Sequence, residues 1–145
     1  MNIELSVIDY ESTFYTEVLQ LRQAVLRIPL GLNLFDEDLS EDRDQYIVVA
    51  VHEQKVIACV MLKILDKDTV KFRQMAVSPA LQGKGIGATL ISYAENFCAL
   101  NDYSVIELHA RKEAIGFYEK SGYVREGNEF EEVGIVHYKM SKKLS

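Results

Sequence analysis

A glycine-rich segment between a strand-like run and a helix-like run is the strongest chemical signal in this sequence. Residues 82–88 read Gln-Gly-Lys-Gly-Ile-Gly-Ala, so three glycines fall within five positions. Glycine costs backbone entropy and disfavours a helix, so a compensating gain is expected here. Backbone N–H groups free of flanking side chains can surround an anion, and the dipole of a helix start adds about half a positive charge. The segment therefore predicts a phosphate site, to which Lys84, and also Lys71 or Arg73, could add charge.

Two other phosphate-binding motifs fit this segment less well. A P-loop needs Ser or Thr after its lysine, but Gly85 follows Lys84. A dinucleotide-binding fingerprint fits better, because Gly83, Gly85 and Ala88 satisfy G-x-G-x-x-A. That fingerprint belongs to repeated parallel βα units, whereas this chain begins with a meander of strands. An oxidoreductase that binds a dinucleotide is therefore kept only as a third hypothesis.

Two histidines on predicted strands could transfer protons. Alternation along a strand places Glu107 and His109 on one face. Imidazole is the side chain most often used as a general base or proton relay, which makes His109 a candidate for that role. His137, on the last predicted strand, is a second candidate, and a structural role is the alternative for both. His52 lies at the end of a hairpin and is expected to be a surface residue.

Two segments together resemble the GNAT superfamily of N-acetyltransferases. Residues 75–87, Met-Ala-Val-Ser-Pro-Ala-Leu-Gln-Gly-Lys-Gly-Ile-Gly, are similar to the segment that binds the pyrophosphate of acyl-CoA. Residues 114–123, Ala-Ile-Gly-Phe-Tyr-Glu-Lys-Ser-Gly-Tyr, resemble the second motif of that family. The motifs lie about thirty residues apart on the expected elements, so the resemblance covers nearly the whole chain. It implies that the donor, acetyl-CoA, is bound by Met75, Ala76, Val77, Gln82, Gly83, Lys84, Gly85, Ile86, Gly87, Ala88 and Thr89.

The resemblance also implies a mechanism. Acetyl-CoA would enter between two splayed strands, and a primary amine of a small molecule or peptide would attack it directly in a ternary complex. Tyr118 matches the tyrosine that acts as general acid to the CoA thiolate in this family. Many relatives carry a catalytic Glu on the strand before the glycine loop, but residues 69–75 contain no carboxylate, so His109 is our candidate for the base. Arg111 stands where relatives often carry Asn near the donor, and it is a candidate for binding a phosphate or an acidic group of the substrate.

The missing carboxylate keeps a second hypothesis open, a non-catalytic acyl-CoA sensor or regulatory module. The resemblance implies no metal. It does imply that the segment after the first helix, residues 30–44, lines the acceptor side. Dimers are common in the family, so a homodimer is a further expectation.

The elements that must position these residues are predicted to form one mixed sheet with helices on its faces. Period-two runs predict strands, and apolar stripes at helical spacing predict helices. The predicted strands cover residues 2–9, 46–52, 56–65, 69–77, 104–110 and 133–140, and the predicted helices cover 14–28, 86–98 and 112–121. With the resemblance, this order predicts an α+β (mixed α/β), single-domain GNAT-like fold for residues 1–145, with about seven strands, an antiparallel N-terminal meander and about four helices.

Composition limits the partners of the chain. Its 145 residues are 48% hydrophobic and have a net charge of −6, which argues against nucleic acid or an anionic membrane as the main partner. Much of the acidity lies in residues 36–44, which we interpret as a solvated segment, with attraction of a cationic substrate as the alternative. Cys59 and Cys98 lie in apolar runs without metal or disulfide spacing. The sequence contains no signal peptide and no apolar span long enough for a bilayer, so we expect a cytoplasmic protein.

Overall fold

The computed structural model describes residues 1–144, which form one seven-stranded sheet in the order β1-β2-β3-β4-β5-β7-β6. Its strands are β1 (Glu4–Ile8), β2 (Tyr46–His52), β3 (Lys55–Ile64), β4 (Thr69–Val77), β5 (Val105–Arg111), β6 (Val124–Glu132) and β7 (Ile135–Lys143). β4 and β5 are parallel, and every other neighbouring pair is antiparallel. The mixed sheet and its N-terminal meander confirm the prediction, and the antiparallel pairs exclude the repeated parallel units that a dinucleotide-binding fold needs.

Three α-helices flank the sheet within this part of the chain, rather than about four. They are α1 (Tyr15–Arg22), α2 (Ile86–Leu100) and α3 (Ile115–Lys120). α1 continues through a π-helical turn over Gln23–Arg27 and a 3-10 turn over Ile28–Leu30, where Gly31 ends it with a φ of 71°. The predicted stripe from residue 14 to residue 28 therefore spans one helical segment of changing pitch. None of the helices formed by residues 1–144 is long and apolar enough to cross a membrane.

The two faces of the sheet are covered differently. On one face, α2 buries Leu90, Ile91 and Cys98 against apolar side chains of the central strands such as Phe72 and Ile106. On the other face, α1 packs against β3 and β4. Every second residue of β5 on this second face is only partly buried and most are polar. A polar region of the sheet beyond α1 is thus left accessible.

A buried ion pair fixes the acidic segment against α1. Asp42 is 3% exposed, and its Oδ2 accepts hydrogen bonds from Arg22 Nη1 at 2.7 Å and from the Tyr15 hydroxyl at 2.6 Å. Burial and the hydrogen bond to Asp42 raise the pKa of Tyr15. Our interpretation of residues 36–44 as a solvated segment was therefore wrong for Asp42, which balances an arginine that sequence alone does not connect to it.

Candidate functional site

β4 and β5 separate at their carboxyl ends and open a cleft through the sheet. Their parallel pairing ends at Phe72 and Leu108, although β4 continues to Val77 and β5 to Arg111. The last residues of both strands are thereby released from pairing with each other. This divergence is the splayed geometry that the resemblance implied for the donor.

A β-bulge on β4 lies at the point of divergence. Gln74 and Met75 together stand opposite Val60 of β3, and Gln74 has a φ of 53°, in the left-handed region. Such strain persists only where surrounding contacts hold it. Arg27 Nη2 donates a hydrogen bond to Gln74 Oε1 at 3.0 Å, which ties the bulge to the helical segment that follows α1. Backbone groups of the bulge are outside the regular ladder and border the cleft.

A cleft of about 520 Å³, which we call the donor cleft, lies between the end of β4, the glycine loop and the starts of α2 and α3. Gly83 and Gly85 have φ values of 82° and 80°, which L side chains rarely adopt, so the backbone favours glycine at both positions. At Gly87, a Cβ would lie 3.1 Å from Met75 Cε and 3.3 Å from Phe117 Cζ. No side chain caps the start of α2, so its first N–H groups are available to a ligand. The residues present thus fit an anionic group at this helix start.

Nine of the eleven predicted donor residues line the donor cleft: Met75, Ala76, Val77, Gln82, Gly83, Gly85, Ile86, Gly87 and Ala88. The other two do not line it. Lys84 is exposed, and the Thr89 hydroxyl donates a hydrogen bond to Gly85 O at 3.0 Å within the first turn of α2. Lys71 lies outside both cavities described in this section, and burial lowers the pKa of its ammonium group.

A second cavity of about 290 Å³, which we call the acceptor cavity, lies between the splayed strands, the segment after α1 and the β6–β7 hairpin. Met75, Ala114 and Tyr118 line both cavities, so the two meet at these residues. The Tyr118 hydroxyl lies 3.4 Å from Met75 Sδ, and burial raises its pKa to about 12. A phenol at this junction is protonated near neutral pH and can donate a hydrogen bond into either cavity.

His109 and His137 both line the acceptor cavity, and each has a defined partner. His109 Nδ1 lies 2.9 Å from Glu132 Oε2. His137 is 5% exposed, and its Nδ1 lies 2.8 Å from the carbonyl oxygen of Ile135, two positions earlier on the same strand. Burial alone would raise the pKa of Glu132, but the hydrogen bond to His109 and nearby positive charges hold it below its ordinary value. Both histidines can therefore keep Nδ1 protonated, which leaves Nε2 as the acceptor.

Sequence analysis missed Glu132, which lies 23 positions from His109 on a strand without a clear pattern. Glu107, which shares a face with His109, is instead 3.5 Å from Lys139 Nζ and does not line either cavity. His52 is partly exposed near the N-terminus, where its Nδ1 contacts Asn2 O at 2.7 Å.

Three arginines also line the acceptor cavity: Arg27, Arg73 and Arg111. Arg27 forms a bidentate ion pair with Glu37, in which Nε donates to Oε2 at 2.7 Å and Nη2 donates to Oε1 at 3.2 Å. Arg73 was predicted to add charge at the phosphate site, but it lies outside the donor cleft and lines the acceptor cavity instead. Arg111 was predicted to bind a phosphate or an acidic group of the substrate, and Arg27 was not predicted. Arg27 is the last residue of the π-helical turn, and its Nη2 donates a hydrogen bond to Gln74 of β4.

Within residues 1–144, no group of three or more His, Cys, Asp or Glu side chains is arranged to hold a metal ion.

Comparison with known proteins places this geometry in context. A family model described as acetyltransferase (GNAT) domain matches residues 31–144. The chain is 30% identical to the uncharacterized protein YyaT of Bacillus subtilis (strain 168) over 112 residues, which are 77% of this chain and 74% of that protein. Escherichia coli ElaA is 25% identical with a TM-score of 0.83, over 97% of this chain and 99% of that one. A GNAT family acetyltransferase from Elizabethkingia anophelis with acetyl-CoA bound is 18% identical with a TM-score of 0.71, over 99% of each chain.

Proposed function

The chain belongs to the GNAT acetyltransferase family and is an acyl-CoA-dependent acetyltransferase, and from that premise we propose that it transfers an acetyl group from acetyl-CoA to a primary amine of a small molecule or peptide. We propose direct attack in a ternary complex. The observation that carries this is the meeting of two separate cavities at Tyr118, Met75 and Ala114. Donor and acceptor can then be bound together, with their reacting groups on either side of one phenol.

The donor cleft supplies backbone groups that bind three parts of the donor: its pyrophosphate, its pantetheine arm and its thioester carbonyl. N–H groups of the glycine loop and the first turn of α2 hold the pyrophosphate, since a helix start favours an anion. The end of β4, residues 75–77, pairs with the pantetheine arm as an added strand would. An N–H group released at the bulge donates to the thioester carbonyl oxygen as negative charge develops there.

The acceptor amine must lose a proton, because an alkyl ammonium with a pKa near 10 has no lone pair for attack. His109 Nε2 accepts this proton, directly or through one water, while Glu132 holds Nδ1 in its protonated form. The amine nitrogen then forms a bond to the acetyl carbon as the bond between that carbon and sulfur breaks. One of the two protons left on the new amide nitrogen passes, directly or through water, to the Tyr118 phenolate that remains after the sulfur is protonated.

Tyr118 donates its proton to the departing sulfur. A phenol with a pKa of about 12 would be too weak an acid for an ordinary thiolate, whose conjugate thiol has a pKa near 8.5. Burial acts on thiols in the same direction, however, and it raises the pKa of both Cys59 and Cys98 to about 12 in this protein. Desolvation at the junction of the two cavities acts on the departing sulfur in the same direction, so it makes that thiolate a stronger base toward the Tyr118 phenol than it is in water.

Neither cysteine supports the alternative route through an acyl-enzyme. Both are buried, neither lines a cavity, and their raised pKa values disfavour the thiolate that would be the nucleophile. Direct transfer is the route that the two joined cavities favour.

The test is initial-rate kinetics with free thiol as the readout, first over a panel of primary amines and then with both substrates varied. We expect thiol release that depends on the amine, with intersecting double-reciprocal lines. Parallel lines would refute the ternary complex, and donor binding without turnover on any amine would favour a non-catalytic acyl-CoA sensor.

A matched pair of histidine variants tests the base. His109→Gln should lower kcat by about 10²-fold or more with the KM for acetyl-CoA unchanged, because only proton transfer from the amine is lost. His52→Gln, which makes the same change outside both cavities, should behave as wild type. Equal activity of the two variants would assign His109 a structural role.

A further inference from the structure

The charge of the acceptor cavity defines the class of acceptor. We propose that the acceptor amine also carries an anionic oxygen group, a carboxylate or a phosphate, which binds to the guanidinium groups of Arg73 and Arg111. This inference rests on the proposed function, because it names the substrate of the same site.

Arg73 and Arg111 lie on the diverging ends of β4 and β5, are partly buried, and line the acceptor cavity. Each has only a neutral hydrogen-bond partner among residues 1–144. Arg73 Nη1 donates to the amide oxygen of Gln45 at 3.2 Å, and Arg111 Nη2 donates to Leu26 O at 3.4 Å. Neither guanidinium has a carboxylate oxygen within 4.0 Å in this described part of the chain.

The carboxylates near the cavity are engaged elsewhere. Glu132 contacts His109 at 2.9 Å, and Glu37 forms the bidentate pair with Arg27. With His109 neutral, the Glu132 carboxylate offsets one of the two positive charges of the arginines on β4 and β5, so these residues still leave excess positive charge on the wall of the acceptor cavity. The whole chain has a net charge of −6, so this local excess of positive charge does not follow from its composition.

A partly desolvated guanidinium gains most from a bound counter-charge. Its planar fork matches carboxylate and phosphate oxygens, with two parallel hydrogen bonds per group. The cavity volume of about 290 Å³ is at the small end for ligand pockets, which favours a small molecule. A small amine with one anionic end satisfies both the charge and the size of this cavity.

Turnover on acceptors of matched length gives the first test. The four probes are 4-aminobutanoate, its neutral amide, 1,4-diaminobutane and 3-aminopropyl phosphate, with thiol release as the readout. We expect kcat/KM for the anionic acceptors to exceed that for the amide and the diamine by about 10-fold to 100-fold. The ratio between carboxylate and phosphate identifies which anion the cavity prefers. Equal or better turnover of the diamine would overturn the proposal while leaving amine acetylation intact.

Arginine variants locate the effect. Arg73→Gln and Arg111→Gln should each raise KM for the anionic acceptors about 10-fold or more and leave the amide and acetyl-CoA unaffected. Arg111→Lys retains the positive charge but cannot form two parallel hydrogen bonds to one anionic group. Its KM for the anionic acceptors should therefore lie between those of wild type and Arg111→Gln. Arg125→Gln, a control on β6 outside both cavities, should change nothing. Retention of the anionic preference by both glutamine variants would refute the assignment.

Calorimetry without turnover separates this inference from the proposed function. 4-Aminobutanoate and inorganic phosphate are titrated into the protein saturated with coenzyme A, and binding should weaken about 10-fold in each glutamine variant. Arginine-dependent binding without acetyl transfer to any amine would refute the proposed reaction and retain the anion site. Absence of binding by both probes would overturn the anion site.

Discussion

Removal of a single hydroxyl at the junction of the two cavities should separate catalysis from stability. In Tyr118→Phe the ring and its contacts remain, since the aromatic neighbours Phe117 and Tyr123 lie at ring distances of 5.0 Å and 5.8 Å. The hydroxyl itself contacts only a thioether sulfur, Met75 Sδ, at 3.4 Å, which is a weak acceptor. The free energy of unfolding should therefore change by less than about 0.5 kcal/mol. Loss of a general acid should lower kcat by about 10²–10³-fold.

The neighbouring tyrosine provides the matched control. Tyr123 is 2% exposed, and its hydroxyl donates to Glu95 Oε2 at 2.8 Å. Tyr123→Phe removes a hydrogen bond to a charged group, but Glu95 keeps Lys142 at 3.0 Å, so we expect a loss of about 1.5–2 kcal/mol in unfolding free energy. Its kcat at a temperature where it is folded should equal that of wild type, because its hydroxyl does not reach either cavity.

The assay is kcat from thiol release together with urea unfolding of wild type, Tyr118→Phe and Tyr123→Phe. The two variants should show opposite patterns, the first losing activity and the second losing stability. If Tyr118→Phe retains more than half of the wild-type kcat, the phenol is not the proton donor. If both variants lose activity equally, the aromatic pair acts through packing and the reasoning from the hydroxyl fails.

Three further results are expected. Gly85→Asp should remove detectable coenzyme A binding in calorimetry, because it strains a φ of 80° and brings a carboxylate to the anion site. The control Gly127→Asp, at a φ of 71° on β6, should retain coenzyme A binding. Equal affinity of the two variants for coenzyme A would mean that the glycine loop does not hold the donor. Wild-type kcat should show no fall between about pH 9 and pH 11. Burial raises the pKa of Tyr118 to about 12, so the phenol keeps the proton it donates up to about that pH. A fall in kcat centred at the ordinary phenol pKa near 10 would contradict this role. Asp42→Ala should lower the free energy of unfolding in urea by about 3–5 kcal/mol, because it leaves Arg22 buried without a counter-charge. The double variant Arg22→Met/Asp42→Leu should recover most of that loss. A small effect of the single variant would show that stability does not depend on the ion pair.

Much of the fold was predictable because its signals are local. The two-residue turn between β2 and β3 lies at Glu53 and Gln54, whose positive φ values of 50° and 65° suit a tight hairpin. β6 was missed because most of its residues are exposed and its apolar residues do not alternate. Pairing with β7, rather than any pattern of its own, makes residues 124–132 a strand.

Most residues of the donor cleft could be predicted from the sequence by itself. Glycine spacing, the helix that follows and the strand before it lie within a few residues of one another, so short-range geometry was enough to predict an anion site at residues 82–88. Tyr118 was identified through the family resemblance of residues 114–123, a segment that includes the short helix α3.

Which charged residues meet around the acceptor cavity depends on the tertiary structure and could not be predicted from the sequence. Glu132 meets His109 through the register of three strands, and Arg27 reaches Gln74 across 47 positions of chain. Arg73 and Arg111 face one cavity because β4 and β5 diverge, which no pattern within either strand encodes. Charges brought together over such distances depend on packing of the whole sheet, and so does the kind of acceptor that we propose they select.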